Sequence, residues 1–313
     1  MIESNAPVET TEAPPSRPPC PAPADLRKAI ADFDAHAEVG HYAGPRHALT
    51  YRIIGQGVPL ILSPGLASTY RGYALLLNRL AGRFKTVIYD YPGDNPGDGA
   101  RLGRVTHDHL VDDLFGLIDH LGFGRTFLVG MSFGSTITLK ALAREPRRFP
   151  KAAVQGAFVR RSFTAAERIA LRLGRFMPGR TARLPFRDAV LRYNTQSHFP
   201  DVISDRWAVY VEQNGLTPVA ALAHRLDLTA RLDLTGTLPL VKSEVMILQG
   251  NEDRIVPRRH FEELRAALPS SQAVVMPMVG HQPHFTHAEA LADALTEWFL
   301  PCAPGGCPNE PKP

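Results

Sequence analysis

Three loops of this chain carry side chains that could together do nucleophilic chemistry. The first is Gly130-Met131-Ser132-Phe133-Gly134, which follows an apolar run over 126–130 and precedes a helical one over 135–143. A serine forced into a sharp turn between a strand and a helix adopts a strained backbone conformation and projects its hydroxyl outward. Side chains two residues to either side would collide with the neighbouring elements, which is why glycine stands there. A serine hydroxyl is a weak nucleophile until a base takes its proton, and that base works best when a carboxylate fixes its tautomer. The motif therefore calls for a histidine and an acid on other loops that follow strands. His281 stands in Val279-Gly280-His281-Gln282-Pro283, and Gly250-Asn251-Glu252-Asp253-Arg254 supplies two carboxylates, Glu252 and Asp253.

The elements that must position these loops alternate along the chain. Alternating or continuous apolar runs predict strands over 47–55, 58–63, 84–89, 126–130, 152–156, 244–249 and 272–276. Helical spacing predicts helices over 25–33, 71–80, 107–121, 135–143, 261–268 and 288–300; in the third of these Leu110, Leu114, Leu117, Ile118 and Leu121 share one face. Strands separated by helices make a mostly parallel sheet flanked by helices on both faces, an α/β fold. In such a sheet the reactive groups stand on loops at the carboxyl ends of strands. Serine, acid and histidine each follow a strand, in that order. Residues 159–235 break the rhythm and read as several helices with no strand between them.

With these motifs together, the chain resembles the α/β-hydrolase superfamily, specifically its capped serine-hydrolase branch, over residues 45–300. The resemblance implies an α/β-hydrolase core over 25–158 and 236–300 with an inserted helical cap over 159–235. It selects Asp253 over Glu252, because the family's acid stands three residues after the glycine of that loop. The implied triad is Ser132, Asp253 and His281. It also implies an oxyanion hole built from the backbone N–H groups of Leu66, in Pro64-Gly65-Leu66, and of Phe133. The family's usual histidine before that glycine is replaced here by Pro64. The implied activity is hydrolysis of carboxylic esters or thioesters through an acyl-enzyme, with no cofactor. Serine at position 132 leaves carbon–carbon bond hydrolases, perhydrolases and acyltransferases open as relatives, and a non-catalytic ligand-binding protein is the rival from another class.

Composition narrows the setting. The chain has 313 residues, 44% of them hydrophobic, and a formal net charge of +4, too small an excess to suggest a nucleic-acid partner. No window reaches eighteen uninterrupted apolar residues, the amino terminus lacks a basic leader with an apolar core, and three cysteines make no disulfide framework; these features imply a cytoplasmic protein. Residues 1–24 hold seven prolines and read as a disordered leader, and 301–313 as a flexible tail; Cys20, Cys302 and Cys307 read as free thiols in those ends. Asp94 and Asp98 read as turn formers, and His284 and His287 as surface or first-turn histidines, so no metal site is expected.

The segment 157–193 is the exception to the mild charge. It carries nine arginines against Glu167 and Asp188, a local +7. Within it, Ile169, Leu173 and Phe176 fall at helical spacing with Arg168, Arg172 and Arg175 beside them. This predicts an amphipathic cap helix covering the pocket, its arginines either a solvated basic face over an apolar lid or, turned to the entrance, an attraction for an anionic substrate such as an acyl-CoA or an acyl ester at a charged membrane surface.

Overall fold

The apolar runs assemble into a single eight-stranded sheet in a computed structural model that describes residues 24–199 and 203–300. In chain order the elements are α1 (Leu26–His36), β1 (Glu38–Ala43), β2 (Ala48–Ile54), β3 (Val58–Ser63), α2 (Ala74–Leu80), β4 (Phe84–Tyr89), α3 (His107–His120), β5 (Phe127–Met131), α4 (Phe133–Arg144) and β6 (Lys151–Gln155). They continue with α5 (Ala165–Gly174), α6 (Arg187–Thr195), α7 (Ser204–Asn214), α8 (Val219–Ala230), β7 (Glu244–Gly250), α9 (Arg258–Ala267), β8 (Gln272–Met276), α10 (Pro283–Thr286) and α11 (Ala288–Phe299). The strand order is β1-β2-β4-β3-β5-β6-β7-β8. β1 and β2 run antiparallel at one edge, and from β4 onward every pairing is parallel.

The period of two along each strand sends alternate side chains into two separate cores. Ile61, Val87, Leu128 and Ile247 pack on the side covered by α3, α4 and α9, whereas Leu60, Ile88, Val129 and Met246 pack on the side covered by α1, α2 and α11. Each of these side chains is essentially excluded from water, and such burial contributes about 2 kcal/mol per large aliphatic side chain. Covered on both faces, the parallel strands need no polar side chains, which is why they read as continuous apolar runs.

The antiparallel edge differs. β1 follows the sequence Glu-Val-Gly-His-Tyr-Ala and is mostly exposed, so no apolar alternation announces it. Gly40 in its centre lies directly against the ring of Tyr51 across the ladder, where a Cβ would overlap the ring.

Four helices, α5 to α8, enter between β6 and β7. The predicted amphipathic helix is there as α5, but the expectation that its apolar stripe covers the pocket is corrected. Ile169, Leu173 and Phe176 face solvent, and α5 packs instead on α8 through Gly174, whose missing Cβ leaves room for Ala223. Helical periodicity fixes that two faces differ, not which one the neighbouring element takes. Residues 1–23 of the leader, the tail and the three cysteines lie outside the described residues.

Candidate active site

Six parallel strands end at one edge of the sheet, and the loops leaving β3, β4, β5, β6, β7 and β8 meet there. Between β5 and α4 the chain turns at Ser132, which has φ 52° and ψ −112°, a region L-residues rarely occupy. Two backbone approaches enforce the turn. A Cβ on Gly134 would overlap the carbonyl of Ser63, and one on Gly130 would sit 2.5 Å from Ser135 Cα. The Ser132 N–H donates to the Gln155 carbonyl at 2.7 Å, and Ser135 Oγ donates to the Gly130 and Gln155 carbonyls at 2.8 and 3.1 Å.

The structure brings Ser132, Asp253 and His281 together. Ser132 Oγ lies 2.9 Å from His281 Nε2, and His281 Nδ1 lies 2.6 Å from Asp253 Oδ2. With the ring proton on Nδ1, the imidazole donates to the carboxylate and its other nitrogen accepts the serine hydroxyl. Asp253 Oδ1 accepts the N–H groups of Ile255 and Val256 at 2.9 and 2.8 Å, so the buried carboxylate has partners for both oxygens. Glu252 is elsewhere: its carboxylate sits 3.3 Å from His198 Nε2. Gly156, just past β6 at φ 57°, backs this arrangement, since a Cβ there would stand 2.8 Å from His281 Cε1. In the sequence it reads only as a strand end.

Phe133 directly follows the serine in the chain, and Leu66 lines the same cavity as Ser132. Among the described residues neither backbone N–H has a protein acceptor, and Phe133 opens α4, at the positive end of the helix dipole. The histidine missing before Gly65 is replaced by three braces that lie far apart in sequence. Tyr91 Oη donates to the Pro64 carbonyl at 2.9 Å, the Gly65 N–H donates to Tyr73 Oη at 2.9 Å, and Arg225 Nη1 of α8 donates to the Leu66 carbonyl at 2.6 Å. Arg225 also forms an ion pair with Asp94 and lies over the Tyr91 ring, 5.0 Å from its centroid. Asp94, read from the sequence as a turn former, thus also anchors this brace while accepting the Tyr91 N–H at 3.0 Å. Burial raises its pKa, and the Arg225 charge opposes that rise. Asp98 does form its turn, accepting the N–H groups of Gly93 and Ala100.

His284 departs from the surface reading. It lies in the first turn of α10, buried and stacked on Tyr73 at 4.2 Å between centroids, and burial lowers its pKa to about 3. His287 is half-buried, and burial lowers its pKa as well. Among the described residues no three His, Cys, Asp or Glu side chains cluster as metal ligands would.

A cavity of about 360 Å3 opens over Ser132 and His281. Tyr210, Leu222 and Leu226 of the inserted helices contribute to its wall, and Arg161 and Arg254 supply its cationic groups.

A sequence profile described as alpha/beta hydrolase fold matches residues 58–288. The chain belongs to the alpha/beta hydrolase family. Two relatives within it are a 2-(acetamidomethylene)succinate hydrolase of Mesorhizobium japonicum, 26% identical over 81% of this chain and 92% of the relative, and a pimeloyl-[acyl-carrier protein] methyl ester esterase of Xanthomonas campestris pv. campestris, 27% identical over 78% and 95%. Among solved structures, this alpha/beta hydrolase fold is similar to a thermophilic esterase from Thermogutta terrifontis, with a TM-score of 0.72 and 23% identity over 84% of this chain and 98% of that one.

Arg225 gives this hydrolase-fold protein a testable dependence between its insertion and its loop. Arg225→Met alone would leave the half-buried Asp94 without its ion-pair partner and destabilise the protein. Removing both charges, as Arg225→Met with Asp94→Asn, isolates the effect on the Leu66 carbonyl. The expected result is a kcat about ten- to a hundredfold lower with KM within a few-fold of the parent, the size of a displaced oxyanion donor. A double variant with unaltered kcat and a normal melt would show that Arg225 does not aim the loop.

Proposed function

We propose that the protein is a serine hydrolase of carboxylic esters or thioesters acting on anionic acyl substrates. The observation that carries the reading is the hydrogen-bonded chain Ser132 Oγ, His281 Nε2, His281 Nδ1, Asp253 Oδ2 at 2.9 and 2.6 Å, opening into a cavity. In this reading His281 takes the hydroxyl proton as Ser132 Oγ attacks the acyl carbon. The N–H groups of Leu66 and Phe133 hold the oxyanion, and Asp253 stabilises the imidazolium. His281 then protonates the leaving oxygen or sulfur, which departs and leaves the acyl group on Ser132. Water, deprotonated by the same histidine, attacks that acyl-enzyme and releases the acid. The α5–α8 insertion acts as the cap that walls off the substrate. A fluorophosphonate probe tests the assignment: it labels Ser132 in the native protein and labels nothing in Ser132→Ala. Labelling that persists in that variant would remove Ser132 from the role.

An anionic substrate is supported by a change in where the cationic groups stand. Arg175, just past α5, is engaged with Asp227 at 3.4 Å, whereas Arg161 and Arg254 line both the cavity and an adjoining groove of about 540 Å3 that also holds Arg160, Arg259, His260 and one acid, Glu263. Arg160 pairs with Glu263 at 3.3 Å, and Arg254 donates to the Tyr193 carbonyl at 3.0 Å. Among the described residues Arg161, Arg254 and Arg259 have no carboxylate within ion-pairing distance. The succinate in one relative's name, with its two carboxylates, fits the same preference for an anionic substrate.

Attraction of this kind is screened within about 8 Å at physiological salt. The specificity constant for an ester carrying a second carboxylate should therefore fall with added salt. It should also fall about tenfold in Arg161→Gln with Arg254→Gln, equivalent to about 1.4 kcal/mol, mostly through KM. A neutral ester of the same length should change little. Equal losses for the two esters would overturn the anionic reading and leave the hydrolase reading standing.

A further inference from the structure

The outward stripe of α5 is repeated on the next helix. Ile169, Leu173 and Phe176 follow the spacing i, i+4, i+7, and so do Phe186, Val190 and Tyr193 at and along α6. A helix on the surface of a water-soluble domain turns such a stripe inward. Here both stripes face out: Phe176 is 87% exposed, Phe186 84%, Tyr193 74% and Leu173 65%. Met177, 46% exposed, extends the first stripe. Seven of the twelve large hydrophobic side chains most exposed among the described residues fall within 169–193, so they form a concentrated surface rather than the scattered single residues any protein shows.

The way α5 is held makes the orientation specific. Its inner contacts use the small residue Gly174 against Ala223 and the ion pair of Arg175 with Asp227 at 3.4 Å, leaving its large apolar residues unused by the core. Interleaved with the stripes are Arg168, Arg172, Arg180, Arg183 and Arg192, all exposed, none with a carboxylate in ion-pairing distance among the described residues. The only acid between 168 and 193 is Asp188, and Arg187 takes it at 3.0 Å.

We infer that α5 and α6 form a docking face for a lipid bilayer containing anionic headgroups. Aromatic and aliphatic side chains can enter the boundary between headgroups and acyl chains, while arginine stems lie along that boundary and their guanidinium groups reach lipid phosphates. Each such arginine strengthens attachment roughly fivefold. A second copy of the chain is the poorer occupant, because an isologous contact would set this arginine-rich face against itself. Val190 belongs both to the outward stripe of α6 and to the wall of the cavity over Ser132, so docking brings the cavity mouth to the lipid surface. Attachment itself does not depend on the hydrolase reading and is measured without turnover.

The test is cosedimentation of the full chain with vesicles of phosphatidylcholine alone and of an equal mixture with phosphatidylglycerol. Binding is expected to the mixed vesicles and to weaken as salt is added. Phe176→Ser with Phe186→Ser, and separately Arg168→Gln with Arg172→Gln, should each weaken it by roughly tenfold or more. None of these four side chains lines the cavity or packs in a core, so the melting temperature and the turnover of a water-soluble ester should stay at parental values and certify the fold. Failure to bind mixed vesicles would overturn the inference, as would binding that neither pair of substitutions weakens. A dimer in light scattering that the phenylalanine pair dissolves, without vesicle binding, would make the face a contact between copies and also overturn it.

Discussion

Ser132→Ala and His281→Ala are each expected to lower ester turnover by about 10^4- to 10^6-fold, with secondary structure unchanged. The size follows from the chain of contacts: among the described residues Ser132 Oγ has one base within reach, His281 Nε2 at 2.9 Å, and that nitrogen has no other donor. Removing either member breaks the same proton transfer, so the double variant should be scarcely worse than either single one. Steady-state kinetics beside a circular dichroism melt make the comparison. A Ser132→Ala protein with most of its turnover intact would place the chemistry elsewhere, and multiplicative losses in the double variant would show that the two residues act separately.

The second large effect separates two adjacent carboxylates. Asp253→Asn should reduce kcat by about 10^3- to 10^4-fold, because an amide at 2.6 Å from Nδ1 favours the wrong tautomer and cannot stabilise the imidazolium. Glu252→Gln should change kcat less than a few-fold. Its carboxylate is half-exposed and stands 3.3 Å from the buried His198, away from His281. The reverse outcome, a crippled Glu252→Gln and a near-silent Asp253→Asn, would reassign the acid.

Much of this arrangement is legible in the sequence because each member of the site is tied to local punctuation. Ser132, Asp253 and His281 each follow an apolar strand, and each loop carries a glycine whose missing Cβ admits a neighbouring backbone or ring: Gly134 against Ser63, Gly250 against Val279, Gly280 against His198. Parallel strands buried on both faces announce themselves as apolar runs. β1 does not, because an edge strand over Glu38–Ala43 buries little and shows no alternation. Tyr73, Tyr91 and Arg225 converge on the Pro64–Leu66 loop from three distant elements, and no spacing encodes that. The orientation of α5 is not legible. Amphipathicity shows in Ile169, Leu173 and Phe176, but which face packs is decided by Gly174 and Ala223 on the other side.

The backbone of Ser132 also bears on how such a protein can change over time. A non-glycine residue held at φ 52° stores about 1–3 kcal/mol of strain, which the surrounding sheet and helix sustain. Glycine at 132 would relax that strain, whereas alanine would keep it. Ser132→Ala and Ser132→Gly should therefore be equally inactive yet melt at different temperatures, the glycine protein higher; equal melts would mean the turn is unstrained. Mutational drift toward greater stability and selection for turnover then pull this one position in opposite directions. A lineage released from the need for chemistry could lose its nucleophile while its fold became more robust, so inactive descendants of such a protein need not be unstable ones.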